Sequence, residues 1–158
     1  MPAPKPATAS PRLDRILGYQ LARATIPTTA IYMRAVGEPL GLRPVEYTIL
    51  ALLHEDPSLT PARLARALAV SAPNITAWLS RLEERGLLGR STSATDRRMQ
   101  VLGLTAAGER AAREGTRRLV EAEQQALSVL SPGEYALLNE LLRKVAAIAG
   151  FDGTAKGR

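Results

Sequence analysis

Arginine supplies most of the chemistry this sequence has to offer. Eleven arginines stand against five acids between residues 61 and 118, so that stretch carries +6 and the remainder of the chain sums to zero. A guanidinium stays charged at any physiological pH and binds phosphate or guanine through a planar fork of donors, which is chemistry of binding rather than turnover. Groups suited to turnover are scarce. His54 is the one histidine and there is no cysteine. A disulfide scaffold, a thiolate zinc site, a cysteine nucleophile and a thiol redox sensor are therefore excluded. No paired carboxylates, phosphate loop or metal cluster can be assembled, so the expectation is a protein that is not an enzyme and carries no cofactor or metal. Localised positive charge points to a polyanion, with nucleic acid first among the candidates.

The small polar residues near those arginines have a helical order. On a wheel of about 100° per residue, Ile75, Leu79 and Leu82 share one side of a helix spanning 71–85. Pro73, Asn74, Ala77, Ser80 and Arg81 occupy the other, with Thr76 at its flank. A face that is small, polar and basic can enter a major groove, where Asn reads adenine and Arg reads guanine. Further on, the polar run STSATDRR brings Arg97 and Arg98 to a hairpin tip, from which a guanidinium can lie in a minor groove. Asp96 is the wrong charge for DNA and is expected to pair with Arg98 and hold the wing's shape. Arg63, Arg66 and Arg90 are expected to contact phosphates rather than bases.

The elements that position these groups can be read from caps and periodicity. With 158 residues the chain is expected to form one domain. Residues 1–9 read as a flexible Pro/Ala arm and 151–158 as a Gly-rich flexible tail. Nothing resembles a signal peptide or an 18-residue apolar run, so the default compartment is the cytoplasm. Ser10-Pro11 opens a helix carrying Leu13, Ile16, Leu17 and Leu21, which Pro27 should kink or split and Gly37-Glu38-Pro39 should end. Pro44 opens a second helix. Thr60-Pro61 opens a third, and Ala69-Val70-Ser71 is a tight link, with Ser71 capping the helix that ends at Gly86. A strand, the polar turn and a second strand follow. Thr105 caps a long charged helix, and Ser131 and Glu134 form a capping box for the last one. Two short helices, a tight link and a hairpin describe a winged helix-turn-helix, mainly α with a small β-wing.

The segments LGLRPVEYTILALL, LTPARLARALAVSAPNITAWLSRLEERGLLGR (59–90) and DRRMQVLGLTAAG (96–108) resemble the MarR family of bacterial transcriptional regulators. The Leu-Glu-x-x-Gly-Leu run at 82–87, the Asp-Arg-Arg wing and the Leu-Thr-x-x-Gly run at 104–108 carry the resemblance. It implies a homodimer in which helices at 10–37 and 106–149 join two protomers, each offering the winged helix-turn-helix at 44–105 to a palindromic double-stranded DNA operator. It also implies repression relieved by a small ligand. The chain departs from the family pattern where DNA is read: Ala77 stands where Arg is frequent, and Asn74 where Ser or Thr is.

A dimer is also the cheapest cover for the apolar N- and C-terminal helices. For a ligand, a gap opened by Pro27 would bring Tyr19, Arg23, Thr28 and Tyr32 against Tyr47 and His54. Aromatic walls and one Arg would suit an aromatic acid or an acyl thioester. His54, beside two acids, also fits an ordinary helix-end residue. The alternative is an effector-independent or architectural DNA-binding protein.

Overall fold

The computed structural model of this chain describes residues 12–92 and 100–148. The arm, the tail, the Ser10-Pro11 start and the wing residues Asp96, Arg97 and Arg98 lie outside the described residues. A 3-10 turn at Leu13–Arg15 leads through extended Ile16 into α1, Leu17–Tyr32. Pro27 was expected to divide this helix, but α1 runs through it. Its missing N–H leaves one carbonyl without a helical partner, a small cost where the helix faces water, as at Ile26 (72% exposed). The threonines beside it bond neighbouring carbonyls: Thr28 Oγ1 donates to the carbonyls of Ala24 and Thr25, and Thr25 Oγ1 to that of Leu21.

The helical path does not end at Gly37 either. A π-helical segment, Met33–Gly37, passes into the short α2, Glu38–Leu40, and the chain turns only at Gly41 with φ +61°. A residue with a Cβ is disfavoured in that left-handed conformation, so glycine belongs there.

α3, Pro44–Glu55, lays Ile49, Leu50 and Leu53 into the core. α4, Pro61–Ala67, starts as expected at Thr60, whose hydroxyl accepts from the Arg63 amide. The link to α5, Ala72–Glu84, turns at Ala69 with φ +51°. Ser71 has the extended backbone of an N-cap but makes no side-chain cap bond. This corrects its expected capping role: Pro73 in the first turn has already removed one of the amides that a cap would serve. Strands β1, Leu88–Thr92, and β2, Gln100–Leu104, pair antiparallel with Leu88 opposite Leu104 and Thr92 opposite Gln100. α6, Ala106–Ala126, and α7, Pro132–Ile148, complete the chain.

One core holds α3, α4, α5, the hairpin and α6 together with the end of α1 and the π-helical segment: Val36, Leu42, Ile49, Leu50, Leu53, Leu64, Ile75 and Leu82 are among its fully buried members. α7 contributes nothing to it. Leu137, Leu138, Leu141, Leu142 and Val145 are 38–53% exposed. At the N-terminal end, Leu13 and Ile16 before α1 and Leu17 and Leu21 on it are likewise open to solvent.

The Leu-Thr-x-x-Gly run has a steric explanation. Thr105 Oγ1 accepts from the Gly108 amide and donates to the Gly86 carbonyl, tying the start of α6 to the end of α5. A Cβ on Gly108 would stand 2.0 Å from the Leu87 carbonyl oxygen, so only glycine permits the approach.

On the outer face of α6, Glu114 receives Arg117 and Arg118 at 2.7 and 2.6 Å, and Arg117 also reaches Glu121. These hydrogen bonds hold Glu114 down to about 2 from 4.5. The folded-state value lies below the unfolded one, so the contribution is present above pH 4.5 and fades as pH falls toward 2. Glu114→Gln should therefore lower the melting temperature slightly at pH 7 and leave it level with the parent near pH 2. A constant difference across that range would refute this.

Candidate nucleic-acid interface

The helical wheel of α5 holds in three dimensions. Ile75, Leu79 and Leu82 are 0–2% exposed, while Ser71, Pro73, Asn74, Thr76 and Ala77 are exposed and Ser80 and Arg81 half-buried. The Thr76 hydroxyl donates to the Ala72 carbonyl, which leaves its methyl and oxygen lone pairs at the surface. Trp78 packs at the edge of the core. The outer face of α5 is therefore narrow and without acids through Ser80, a shape that fits a major groove.

α5 is held at its C-terminal end. Gly86, with φ +67°, closes it, and the Leu87 amide returns to the Leu82 carbonyl at 2.9 Å. Toward α3, Arg85 donates to the carbonyls of Gly41 (3.0 Å) and Leu40 (3.3 Å) and to Glu46 (3.3 Å). Arg81, expected among the base readers, stands with Nη1 3.5 Å from the same Glu46. Sequence reasoning missed Glu46. The signal was an acid on the apolar stripe Leu42, Glu46, Ile49, Leu50 and Leu53, and the carboxylate is 2% exposed.

Arg90 lies on β1, and its side chain is outside the description. Arg63 reaches Asp56 at 3.4 Å and Ser58 at 3.3 Å.

The six residues expected around a ligand lie on α1 (Tyr19, Arg23, Thr28 and Tyr32) and α3 (Tyr47 and His54). Tyr32 and Tyr47 do meet, with ring centroids 5.9 Å apart. Tyr32 Oη donates to the Leu42 carbonyl at 2.9 Å, and burial pushes its pKa well above 10, so it stays a donor. Tyr47 Oη pairs with Thr116 Oγ1. Its ring lies over Gly115, where a Cβ would be 2.8 Å away. His54 Nδ1 is 2.7 Å from Glu109 Oε2, joining α3 to α6. Arg23 caps the Tyr19 ring at 5.7 Å and reaches Asp14 at 3.7 Å, toward the outer end of α1. Thr28 spends its hydroxyl on its own helix. A cleft of about 300 Å³ opens beside the π-helical segment, between Ile31, Arg34, Ala35, Ala122, Gln125 and Ala126. Among the described residues no three His, Cys, Asp or Glu side chains are grouped to hold a metal ion, and no helix is long and apolar enough to cross a membrane.

A model of the MarR family matches residues 42–99, the span from the start of α3 to the second strand. A Thauera aromatica protein assigned to transcriptional regulation of the hcr operon is 31% identical over 129 residues, 82% of this chain and 78% of its own length. This chain belongs to the MarR family. Its winged-helix fold is that of the family's solved members. The transcriptional repressor CouR, bound to a 23-mer DNA duplex, superposes with a TM-score of 0.77 at 28% identity, over 88% of this chain and 98% of CouR. A MarR family protein of Mycobacterium tuberculosis in complex with salicylic acid superposes with a TM-score of 0.67 at 27% identity, over 88% of this chain and 98% of that one. As a MarR protein the chain is a transcriptional regulator, and the family model spans α3, α4, α5 and β1.

Proposed function

We propose that this MarR protein is a homodimeric repressor that binds a palindromic operator through α5 and the wing and is released by a small aromatic acid or its acyl thioester. The observation that carries the DNA reading is the division of α5 into a buried Ile75, Leu79 and Leu82 side and an acid-free outer side bearing Asn74, Thr76, Ala77 and Ser80. Wing arginines Arg97 and Arg98 complete the contact in this reading, with Asp96 shaping the wing and Arg90 on a phosphate. The open apolar stripes of α1 and α7 support a second copy of the chain as the partner. CouR bound to DNA supports the duplex as target, and the salicylic acid complex of the mycobacterial relative supports the effector class.

Selection of random duplexes with the purified protein tests the assignment. The expected product is an inverted repeat with half-sites about 10 base pairs apart; absence of any preferred sequence would refute it.

A second reading is an effector-independent DNA-binding protein. It is favoured by the hydroxyls of Tyr32 and Tyr47, which are both satisfied within the protein and leave a ligand little to bond. Thermal-shift titration separates the two. Salicylate-class acids should raise the melting temperature and release DNA together, and no shift across the aromatic acids and their thioesters would favour the second reading.

A further inference from the structure

One buried carboxylate faces two arginines at the C-terminal end of α5, Arg81 within it and Arg85 just past it. Glu46 Oε2 accepts the Arg43 amide at 2.9 Å and Arg85 Nη1 at 3.3 Å, and Glu46 Oε1 faces Arg81 Nη1 at 3.5 Å. A carboxylate removed from water needs compensating charge, and here it has two cations where one would neutralise it. The two are held unequally. Arg85 has the Gly41 and Leu40 carbonyls as well as Glu46. Arg81 has the single, longer contact among the described residues, and its side chain is 41% exposed on the groove-facing helix. Arg85 is the bolt and Arg81 the cation that can leave.

We propose that Glu46 is a positioning residue for DNA recognition: it withholds Arg81 from non-cognate DNA and yields it only at the operator. The inference rests on the reading of α5 as the groove-facing helix. An arginine on that helix would otherwise bind any phosphate within reach, adding affinity for every sequence and specificity for none. Paired to Glu46, it leaves only for a site whose bonds exceed those it gives up, such as the paired acceptors of a guanine edge. Arg85, tied to the turn at Leu40 and Gly41, keeps the helix in place while Arg81 moves. Discrimination thereby comes from an intramolecular competitor as well as from contacts with DNA.

The test is fluorescence anisotropy on the selected operator and on a scrambled duplex, over a range of salt, for the parent and three variants. Glu46→Gln keeps the shape and acceptor oxygen but removes the charge. It should tighten binding to the scrambled duplex several-fold and steepen its log–log salt slope by about 0.9, the increment for one added phosphate contact. Arg81→Ala should weaken operator binding while leaving the salt slope on the scrambled duplex unchanged. The double variant should show the slope of Arg81→Ala. A purely structural role for Glu46 predicts weaker binding to both duplexes with no change of slope, and that result overturns the proposal. A shallower scrambled-duplex slope in Arg81→Ala also overturns it, and this surface variant decides the matter if Glu46→Gln fails to fold. Equal binding of the parent to both duplexes would instead refute the DNA-reading assignment of α5, and this inference with it.

Discussion

Replacing Leu138 and Leu141 of α7 with glutamate is expected to yield a folded monomer whose operator affinity is at least ~100-fold lower. The affinity loss follows from bivalency, because two linked half-site contacts exceed one by a factor on the order of 10²–10⁴. The folded state should survive because α7 has no buried residue within the protomer, so the substitutions leave its core untouched. They place charge on a stripe where Leu137, Leu138, Leu141, Leu142 and Val145 stand open. Covering each such leucine against a partner would contribute about 1.5–3 kcal/mol, and a glutamate in its place must be desolvated or must repel its twin across the two-fold axis. Sedimentation velocity reads the mass and circular dichroism the fold. A variant that sediments as a dimer, or a monomer that holds the operator as tightly as the parent, would exclude this interface.

The second large effect is expected at Gly108. Gly108→Ala sets a methyl 2.0 Å from the Leu87 carbonyl oxygen, 3.0 Å from its carbon and 3.2 Å from Leu104 Cδ2. Two of those three atoms are backbone and cannot swing aside, so the junction of α5, the wing and α6 must separate. Overpacking of this kind costs about 3 kcal/mol, the upper end of its usual range, which in a domain of this size lowers the melting temperature by roughly 6–12 °C. Gly133→Ala is the control. Nothing lies within 4 Å of that position, and alanine there should leave the melting temperature unchanged or slightly raised. Equal melting temperatures for Gly108→Ala and the parent would refute the steric account of the Leu-Thr-x-x-Gly run. Operator binding should fall with stability, since Thr105 joins the same junction to Gly86 at the end of α5.

Local and periodic features were legible in the sequence. Ile75, Leu79 and Leu82 face inward because a period of 3.6 places them together. Thr60 and Thr105 cap, and Ser131 and Glu134 bond reciprocally, because a capping residue acts within one turn of itself. Features that depend on what lies opposite were not legible. Pro27 reads as a breaker, yet a helix open to water on that side tolerates the lost bond. Ser71 reads as a cap, yet its bond is absent in a turn that already contains Pro73. Arg81 reads as a free cation because Glu46 is 35 residues away in sequence. Tyr19, Arg23, Thr28, Tyr32, Tyr47 and His54 read as one cluster because their types suit a ligand. Thr116 and Glu109, which take Tyr47 and His54, sit on α6, and nothing in the sequence announces that pairing.

The π-helical segment at Met33–Gly37 gives the first long helix two allegiances. Upstream of it, Leu13, Ile16, Leu17 and Leu21 look away from the protomer; at it and just before it, Ile31, Tyr32 and Val36 look in. A wider turn accommodates one residue more than an α-turn does, and one residue is worth about 100° of rotation. The segment thus sets the rotational phase between Ile31 and Tyr32, on its N-terminal side, and the core contacts from Val36 onward. Excising Arg34 would keep Ile31, Tyr32 and Val36 and rotate the first two by about 100° against the third. The length of this short stretch, more than its side chains, keeps them in register.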